Sequence, residues 1–242
     1  MRLNKAIASR GFCSRRKADE LIFSGKVMVD GVTVTDPSLR VGPDAEITTD
    51  GHRLPGGGIC RYLMMNKAVR TVCTANDPEG RPTVLDALPP EYRSERLFPV
   101  GRLDYFSEGL LILTNDGELA HRLMHPRFHL PKRYEVLVRG PVPHETLLTM
   151  RRGMILAEGE KLAPVEVQAH PAQNGTTRLS MTLHQGVNRQ IRRMCRDLNL
   201  TVLRLQRVAQ GPLNLGGLAS GSVRALSPDE TMALKKAVAL PC

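Results

Sequence analysis

The sequence predicts an α+β fold in two parts: a small αα-hairpin-plus-β domain over residues 1–54, a linker over 55–60, and a larger domain over 61–242 built on a mixed, mainly antiparallel sheet. Three observations carry this. The chain has 242 residues, more than one small core needs. A flexible run, Leu54-Pro55-Gly56-Gly57-Gly58, interrupts it early. Beyond that run strand-like and helix-like stretches intermingle without the regular period of a doubly wound sheet.

The elements follow in order. Leu3, Ile7 and Ala8 share one helical face, and the pattern stops at Gly11. Ser14 is placed as an N-cap with Lys17 at N3, opening a second helix with Ala18, Leu21 and Ile22 inward that ends near Ser24-Gly25. Alternating valines from Lys26 to Thr35 flank Asp30-Gly31, the strongest short hairpin signal. In the larger part, strands are predicted over 61–65, 97–100, 110–114, 134–138, 178–183 and 202–208. Helices are predicted over 118–123, 144–150, 188–198 and 228–239, with Asn188 as an N-cap.

Composition narrows the function classes. Apolar residues make up 41% and charged residues 24%, ordinary for a globular chain. The longest strongly apolar run, residues 109–113, is far short of the ~18 residues that span a bilayer. No apolar h-region follows the basic N-terminus, so neither a secretory signal nor a membrane partner is expected. Five cysteines (Cys13, Cys60, Cys73, Cys195, Cys242) form no C-x-x-C pair, which fits a reduced, cytoplasmic protein. His121, His125 and His129 recur every four residues, but Pro126 breaks the register a metal face would need; no metal is expected.

Net charge is +10. Residues 1–26 hold Arg2, Lys5, Arg10, Arg15, Arg16, Lys17 and Lys26 against Asp19 and Glu20; residues 186–207 hold six arginines against Asp197. Two separated basic clusters point to a nucleic-acid track whose binding weakens steeply with salt, a solvated basic surface being the alternative.

Three stretches carry chemistry. In Phe98-Pro-Val-Gly-Arg102-Leu-Asp104-Tyr-Phe-Ser-Glu-Gly109, Asp104 lies on a polar loop between two strands, an address for a catalytic side chain; a turn aspartate bonding its own backbone is the alternative. In Gln185-Gly-Val-Asn-Arg189-Gln-Ile-Arg192-Arg193-Met-Cys195-Arg196, four arginines form one helical stripe with no acid at these spacings. Such a stripe asks either for a phosphate backbone or for a buried carboxylate. In Lys132-Arg-Tyr134, the tyrosine opens a strand directly after two basic residues, facing a nucleotide or entering the core.

Taken together these motifs resemble the rRNA pseudouridine synthases of the RsuA/RluB/RluF type, nearly end to end. Residues Arg2 to Gly31 are similar to an S4 RNA-binding domain. Gly101-Arg-Leu-Asp104 with Gly109-Leu-Leu and Thr114-Asn-Asp-Gly117 resembles the family's most specific signature; Lys132-Arg-Tyr134, Asn188-Arg-Gln-Ile-Arg192-Arg and Val202-Leu-Arg-Leu-Gln-Arg207 follow in family order. Two departures stand out: Asn66-Lys67 is followed by Ala68, Val69 and Arg70 where the family has Pro-x-Gly, and Val187 stands where many members have Arg.

The resemblance implies isomerisation of a uridine in ribosomal RNA, of the large subunit by the look of residues 123–126 and 188–193, without any cofactor because no net redox change occurs. Asp104 would attack or deprotonate the sugar, or add to the base, after the base leaves its stack. Arg192 would keep that carboxylate ionised, and Tyr134 would stack on the uracil. RNA would be held by Arg2, Lys5, Arg15, Arg16, Lys26, Arg102, Arg189 and Arg193, with one S4-like unit per active site implying a monomer. The competing expectations are a small-subunit (16S) rRNA synthase and a non-catalytic S4-type ribosome-assembly factor. A glycosidase-like reading, pairing Asp104 with Glu108, ranks last.

Overall fold

The computed structural model describes residues 1–128 and 130–241, so His129 and Cys242 of the sequence analysis lie outside the described residues. The chain divides into two compact units, the first comprising residues 1–61 with 94–96 and 115–117, the second the remainder.

In the first unit α1 (Leu3–Ser9) and α2 (Arg15–Phe23) precede β1 (Val27–Val29), β2 (Val32–Val34), β3 (Ile47–Thr49) and β4 (His52–Arg53). The Ser14 hydroxyl accepts the Lys17 N–H at 3.2 Å, as an N-cap should. Asp30 (φ +48°) and Gly31 (φ +80°) both take the left-handed conformation that a two-residue hairpin turn requires. The same device recurs at Asp50 (φ +47°) and Gly51 (φ +77°) between β3 and β4. The four strands run antiparallel in the order β2-β1-β3-β4. Leu3, Ile7, Ala18, Ile22, Val27 and Ile47 form the core, all with no exposed surface.

The second unit runs β5 (Tyr62–Lys67), β6 (Phe98–Val100), β7 (Glu108–Thr114), α3 (Gly117–Met124), β8 (Lys132–Arg139), α4 (His144–Arg152), β9 (Glu166–Pro171), β10 (Thr176–Leu183), α5 (Gln190–Asp197), β11 (Val202–Gln210), β12 (Leu213–Asn214), β13 (Val223–Ala225) and α6 (Pro228–Ala237). Its nine-stranded sheet has the order β13-β5-β7-β11-β8-β10-β9, with β6 on β7 and β12 on β11. Among the described residues only the β7/β11 pairing of named strands is parallel, so the expected mixed, mainly antiparallel sheet is what forms. One apolar cluster gathers β8, β10 and β11 with α4 and α5; a second gathers α3 and α6 with β5 and β7. A third, with Val84, Leu88 and Leu97, packs on the opposite side chains of β5 and β7.

Two local features are set by particular residues. At Gly109 (φ +107°) β7 crosses against β11 so closely that an added Cβ would stand 2.7 Å from the Arg207 backbone nitrogen. Only glycine fits there. At the far end Ser227 and Glu230 form a reciprocal cap on α6, and the Arg224 guanidinium binds both Glu230 oxygens at 2.7 Å. These hydrogen bonds hold the Glu230 carboxyl at about 2, below its ordinary 4.5. A folded-state value below the unfolded one contributes stability that is full above the unfolded value and is lost as pH falls toward the folded one. Glu230→Gln is therefore expected to cost about 1–2 kcal/mol at pH 7 and to remove that share of the acid destabilisation, as read by urea unfolding at pH 7 and pH 3.

Candidate active site

Asp104 and Ser107 are the corners of a β-turn closed by a Ser107 N–H to Asp104 carbonyl bond of 3.0 Å. Every carbonyl of this turn has a donor. Lys67 Nζ reaches the carbonyls of Asp104 (3.2 Å) and Ser107 (2.8 Å), along with that of Ala68 (2.9 Å). The Arg70 N–H donates to Tyr105 (2.7 Å), and Arg192 Nη2 donates to Phe106 (2.7 Å). Lys67 sits at the end of β5 with no exposed surface, and burial pushes its ammonium down, opposed by nearby Cys73, Asp104 and Glu108. Here an ammonium is stabilised by backbone oxygens instead of a direct carboxylate bond, which fixes the loop as a unit.

Arg70 occupies the position of the missing family glycine, and it takes φ +61°. A non-glycine residue holds this left-handed step at a conformational cost of about 1–2 kcal/mol.

On this rigid turn the Asp104 carboxylate is 25% exposed. Its Oδ2 lies 3.8 Å from Arg192 Nε and 4.0 Å from Arg189 Nη1, and among the described residues it accepts no hydrogen bond. Neither guanidinium nitrogen is within hydrogen-bonding distance, so the lone pairs of the carboxylate stay uncommitted. Burial pushes the Arg192 guanidinium down, Asp104 opposing, and its Nε is buried without an acceptor. Arg192 also reaches Ser107 Oγ at 3.3 Å, so it orients the turn as well as facing its carboxylate.

The start of the arginine helix is corrected. Asn188 is not the N-cap; Arg189 is, in the left-handed conformation (φ +50°), and α5 starts at Gln190. The left-handed step takes Arg189 off the helix, where its guanidinium reaches Asp104. Arg193, expected on RNA, is 17% exposed and paired with Glu158 (3.0 Å) and Glu160 (2.7 Å), while Arg196 pairs with Glu158 and Asp197. The stripe is thus split between Asp104 and a surface acidic cluster that sequence spacing did not reveal.

Tyr134 is half-buried on β8, opposite Arg207 of β11, which in turn stands beside Gly109 of β7. These three residues form one row across the sheet. Arg207 is 3% exposed; its Nε donates to the Leu110 carbonyl at 2.7 Å, and one terminal nitrogen is buried without an acceptor. Lys132 is pushed down by burial and by Arg207. Sequence reasoning missed Lys67, Arg207 and Lys132 as parts of this site. The one available signal for Lys67 and Arg207 was a charged residue inside an apolar strand pattern.

Arg102 is exposed just before Asp104. Glu108 is ion-paired with Arg204, which commits the second carboxylate a glycosidase would need. In the first unit Arg2, Arg15, Arg16 and Lys26 are exposed and Lys5 is partly so, with Lys26 3.8 Å from Asp50. The rings of His121 and His125 meet at 5.4 Å, and among the described residues no group of three or more His, Cys, Asp or Glu could hold a metal ion.

The chain is similar to known proteins along nearly its whole length. Residues 61–197 match the family model for RNA pseudouridylate synthase, and residues 1–47 match that for the S4 domain. A protein of Aquifex aeolicus called an uncharacterized RNA pseudouridine synthase is 39% identical over 99% of this chain and 96% of its own. The ribosomal large subunit pseudouridine synthase B of Bacillus subtilis is 39% identical over 97% of this chain and 95% of its own. A crystal structure of a pseudouridylate synthase aligns with a TM-score of 0.69 at 28% identity, covering 97% of this chain and 99% of that one.

Proposed function

This chain belongs to the RNA pseudouridylate synthase family, and from that premise we propose that it isomerises a uridine of large-subunit ribosomal RNA, with Asp104 as the attacking carboxylate. The reaction breaks the N1–C1′ bond, turns the uracil, joins C5 to C1′ and moves the C5 proton to N1. Electrons balance within the nucleotide, so the chemistry requires no redox partner. A carboxylate can attack C1′, remove a sugar proton or add to the base. Each route needs it ionised, fixed and free of hydrogen bonds.

The observation that carries the reading is Asp104 on its clamped turn, with two guanidiniums at 3.8 and 4.0 Å and uncommitted oxygens. Arg192 and Arg189 bring positive charge to within 3.8 and 4.0 Å of the carboxylate toward which the flipped base is drawn. Tyr134, in the row beside Arg207 and Gly109, stacks on the uracil, and its hydroxyl assists loss of the C5 proton. Arg102 contacts the strand left behind. Arg2, Lys5, Arg15, Arg16 and Lys26 hold the RNA backbone by charge. The enzyme works as a monomer in the cytoplasm, one RNA-binding unit serving one active site. No helix among the described residues is long and apolar enough to cross a membrane.

The test is incubation of purified protein with unmodified large- and small-subunit rRNA separately, followed by pseudouridine mapping. One new site in the large-subunit RNA is expected. A site in the small-subunit RNA alone would overturn the substrate assignment. Binding to both RNAs without product in either would favour a non-catalytic assembly factor.

A further inference from the structure

The segment that closes α3 carries aromatic and cationic side chains that the isomerisation does not use. His121 and His125 stand four residues apart across the C-terminal end of α3, so their rings meet, with centroids 5.4 Å apart. Pro126 stops the helix, and residues Pro126–Phe128 form one 3₁₀ turn, closed by the Phe128 N–H donating to the His125 carbonyl at 3.2 Å. That turn sets the Phe128 ring edge-to-face with His125, centroids 6.4 Å apart and planes at 80°. The Arg127 guanidinium lies over the Phe128 ring, 5.1 Å from its centroid. These four side chains line a cleft of about 370 Å³, a volume within the range of small-ligand pockets.

The cleft is braced from one side. Arg122 binds Glu118 at 3.1 Å and donates to the carbonyls of Val238 and Ala239, tying α3 to the chain just beyond α6. The outer groups are not committed in this way. His121, His125 and Arg127 are exposed, and among the described residues none of them pairs with a carboxylate. His125 Nδ1 accepts the Arg127 N–H at 3.2 Å, which leaves Nε2 as the donor of that ring. A solvated helix end accounts for exposed histidines one at a time. It does not account for three rings and a guanidinium in mutual contact around one cleft. Met124, the last residue of α3, accepts the Gly101 N–H on its sulfur at 3.1 Å. Gly101 is three residues before Asp104, a span of at most about 11 Å. The segment bearing the cleft is thus anchored at the start of the catalytic loop, within reach of the same RNA strand.

Flat rings beside a guanidinium are the side chains on which unpaired RNA bases stack. Resting on the isomerase reading above, we propose that this cleft captures an unpaired base of the RNA substrate, a few nucleotides along the strand from the target uridine. The base lies against the wall formed by His121, His125 and Phe128, and the Arg127 guanidinium meets its phosphate. Capture there sets the affinity and the register of the RNA and leaves the chemistry at Asp104 unchanged.

The test uses the full chain and one large-subunit rRNA fragment that it binds, in natural form and in a set each made abasic at one unpaired nucleotide. Affinity is read by filter retention, and pseudouridine formation by single turnover at saturating RNA. His125→Ala should bind the natural fragment about tenfold more weakly, the worth of one base–aromatic stack, with its saturated rate within about threefold of wild type. His125→Phe should keep wild-type affinity within about threefold, because a ring remains. Arg127→Gln should lower the salt slope of binding by about one phosphate contact. One abasic position should weaken wild-type binding by the same factor and abolish the difference between wild type and His125→Ala. Wild-type affinity from His125→Ala would overturn the capture, as would a loss that persists unchanged at every abasic position. Wild-type protein that binds the fragments and forms no product would overturn the isomerase reading, while the affinities would still decide the cleft.

Discussion

Lys67→Met is expected to lower single-turnover pseudouridine formation by about a hundredfold while leaving RNA affinity within a few-fold of wild type. The methionine stem has nearly the same volume, so no cavity or clash arises. What disappears is the Nζ donor shared by the carbonyls of Ala68, Asp104 and Ser107. Loss of three charge-assisted bonds costs several kcal/mol, and relief of a buried ammonium returns much of it. A net destabilisation of about 1–3 kcal/mol follows, visible in urea unfolding at neutral pH. The rate falls further than stability alone would suggest, because Asp104 sits on the turn that Lys67 holds, and a displacement near 1 Å at a reacting group is worth about two orders of magnitude. An unaltered rate from a folded Lys67→Met protein would show that the turn keeps its geometry without the lysine.

Arg192 is the second residue whose loss should be severe, and two substitutions separate its two tasks. It binds the Phe106 carbonyl at 2.7 Å and the Ser107 hydroxyl at 3.3 Å while its Nε faces Asp104 at 3.8 Å. Lysine preserves the charge but cannot serve a carbonyl and a carboxylate from one planar fork. Arg192→Lys should therefore lose about tenfold in rate. Arg192→Met removes the charge too and should lose about a thousandfold, with kcat affected more than KM. Equal losses in the two variants would mean that geometry alone matters and that the charge facing Asp104 contributes nothing.

Much of this was legible in the sequence wherever a local rule governs a local structure. Asp30-Gly31 announced its hairpin because few other residue pairs take two positive φ angles cheaply, and Ser14 capped its helix as its side chain predicts. The second such pair, Asp50-Gly51, went unread because β3 and β4 are only three and two residues long and give no alternation to flank it. Strand β9, at the sheet edge with one buried residue in six, offered no apolar pattern either. Asn188 was a sound N-cap expectation, displaced because the chain puts Arg189 into a left-handed step that serves Asp104.

The active site divides in the same way. Asp104, Tyr134 and Arg192 could be singled out from their motifs. The clamp beneath Asp104 could not, since it is made of backbone carbonyls, which every residue carries and no sequence distinguishes. Nor could the partners of Arg193: Glu158 and Glu160 lie more than thirty residues upstream and meet it only in the folded chain.

The central claim is that a carboxylate at Asp104 performs the isomerisation, and Asp104→Asn tests it most directly. The substitution keeps the shape of the side chain and the backbone bonds of the turn, and removes the charge that Arg189 and Arg192 face. Unmodified total rRNA would be incubated with wild-type or Asp104→Asn protein at matched concentration, with folding checked by circular dichroism and binding by filter retention, and pseudouridine would be mapped afterward. The account predicts one new site with wild type, none with Asp104→Asn, and a variant that is folded and bound to RNA. The same new site formed at a comparable rate by Asp104→Asn would contradict it.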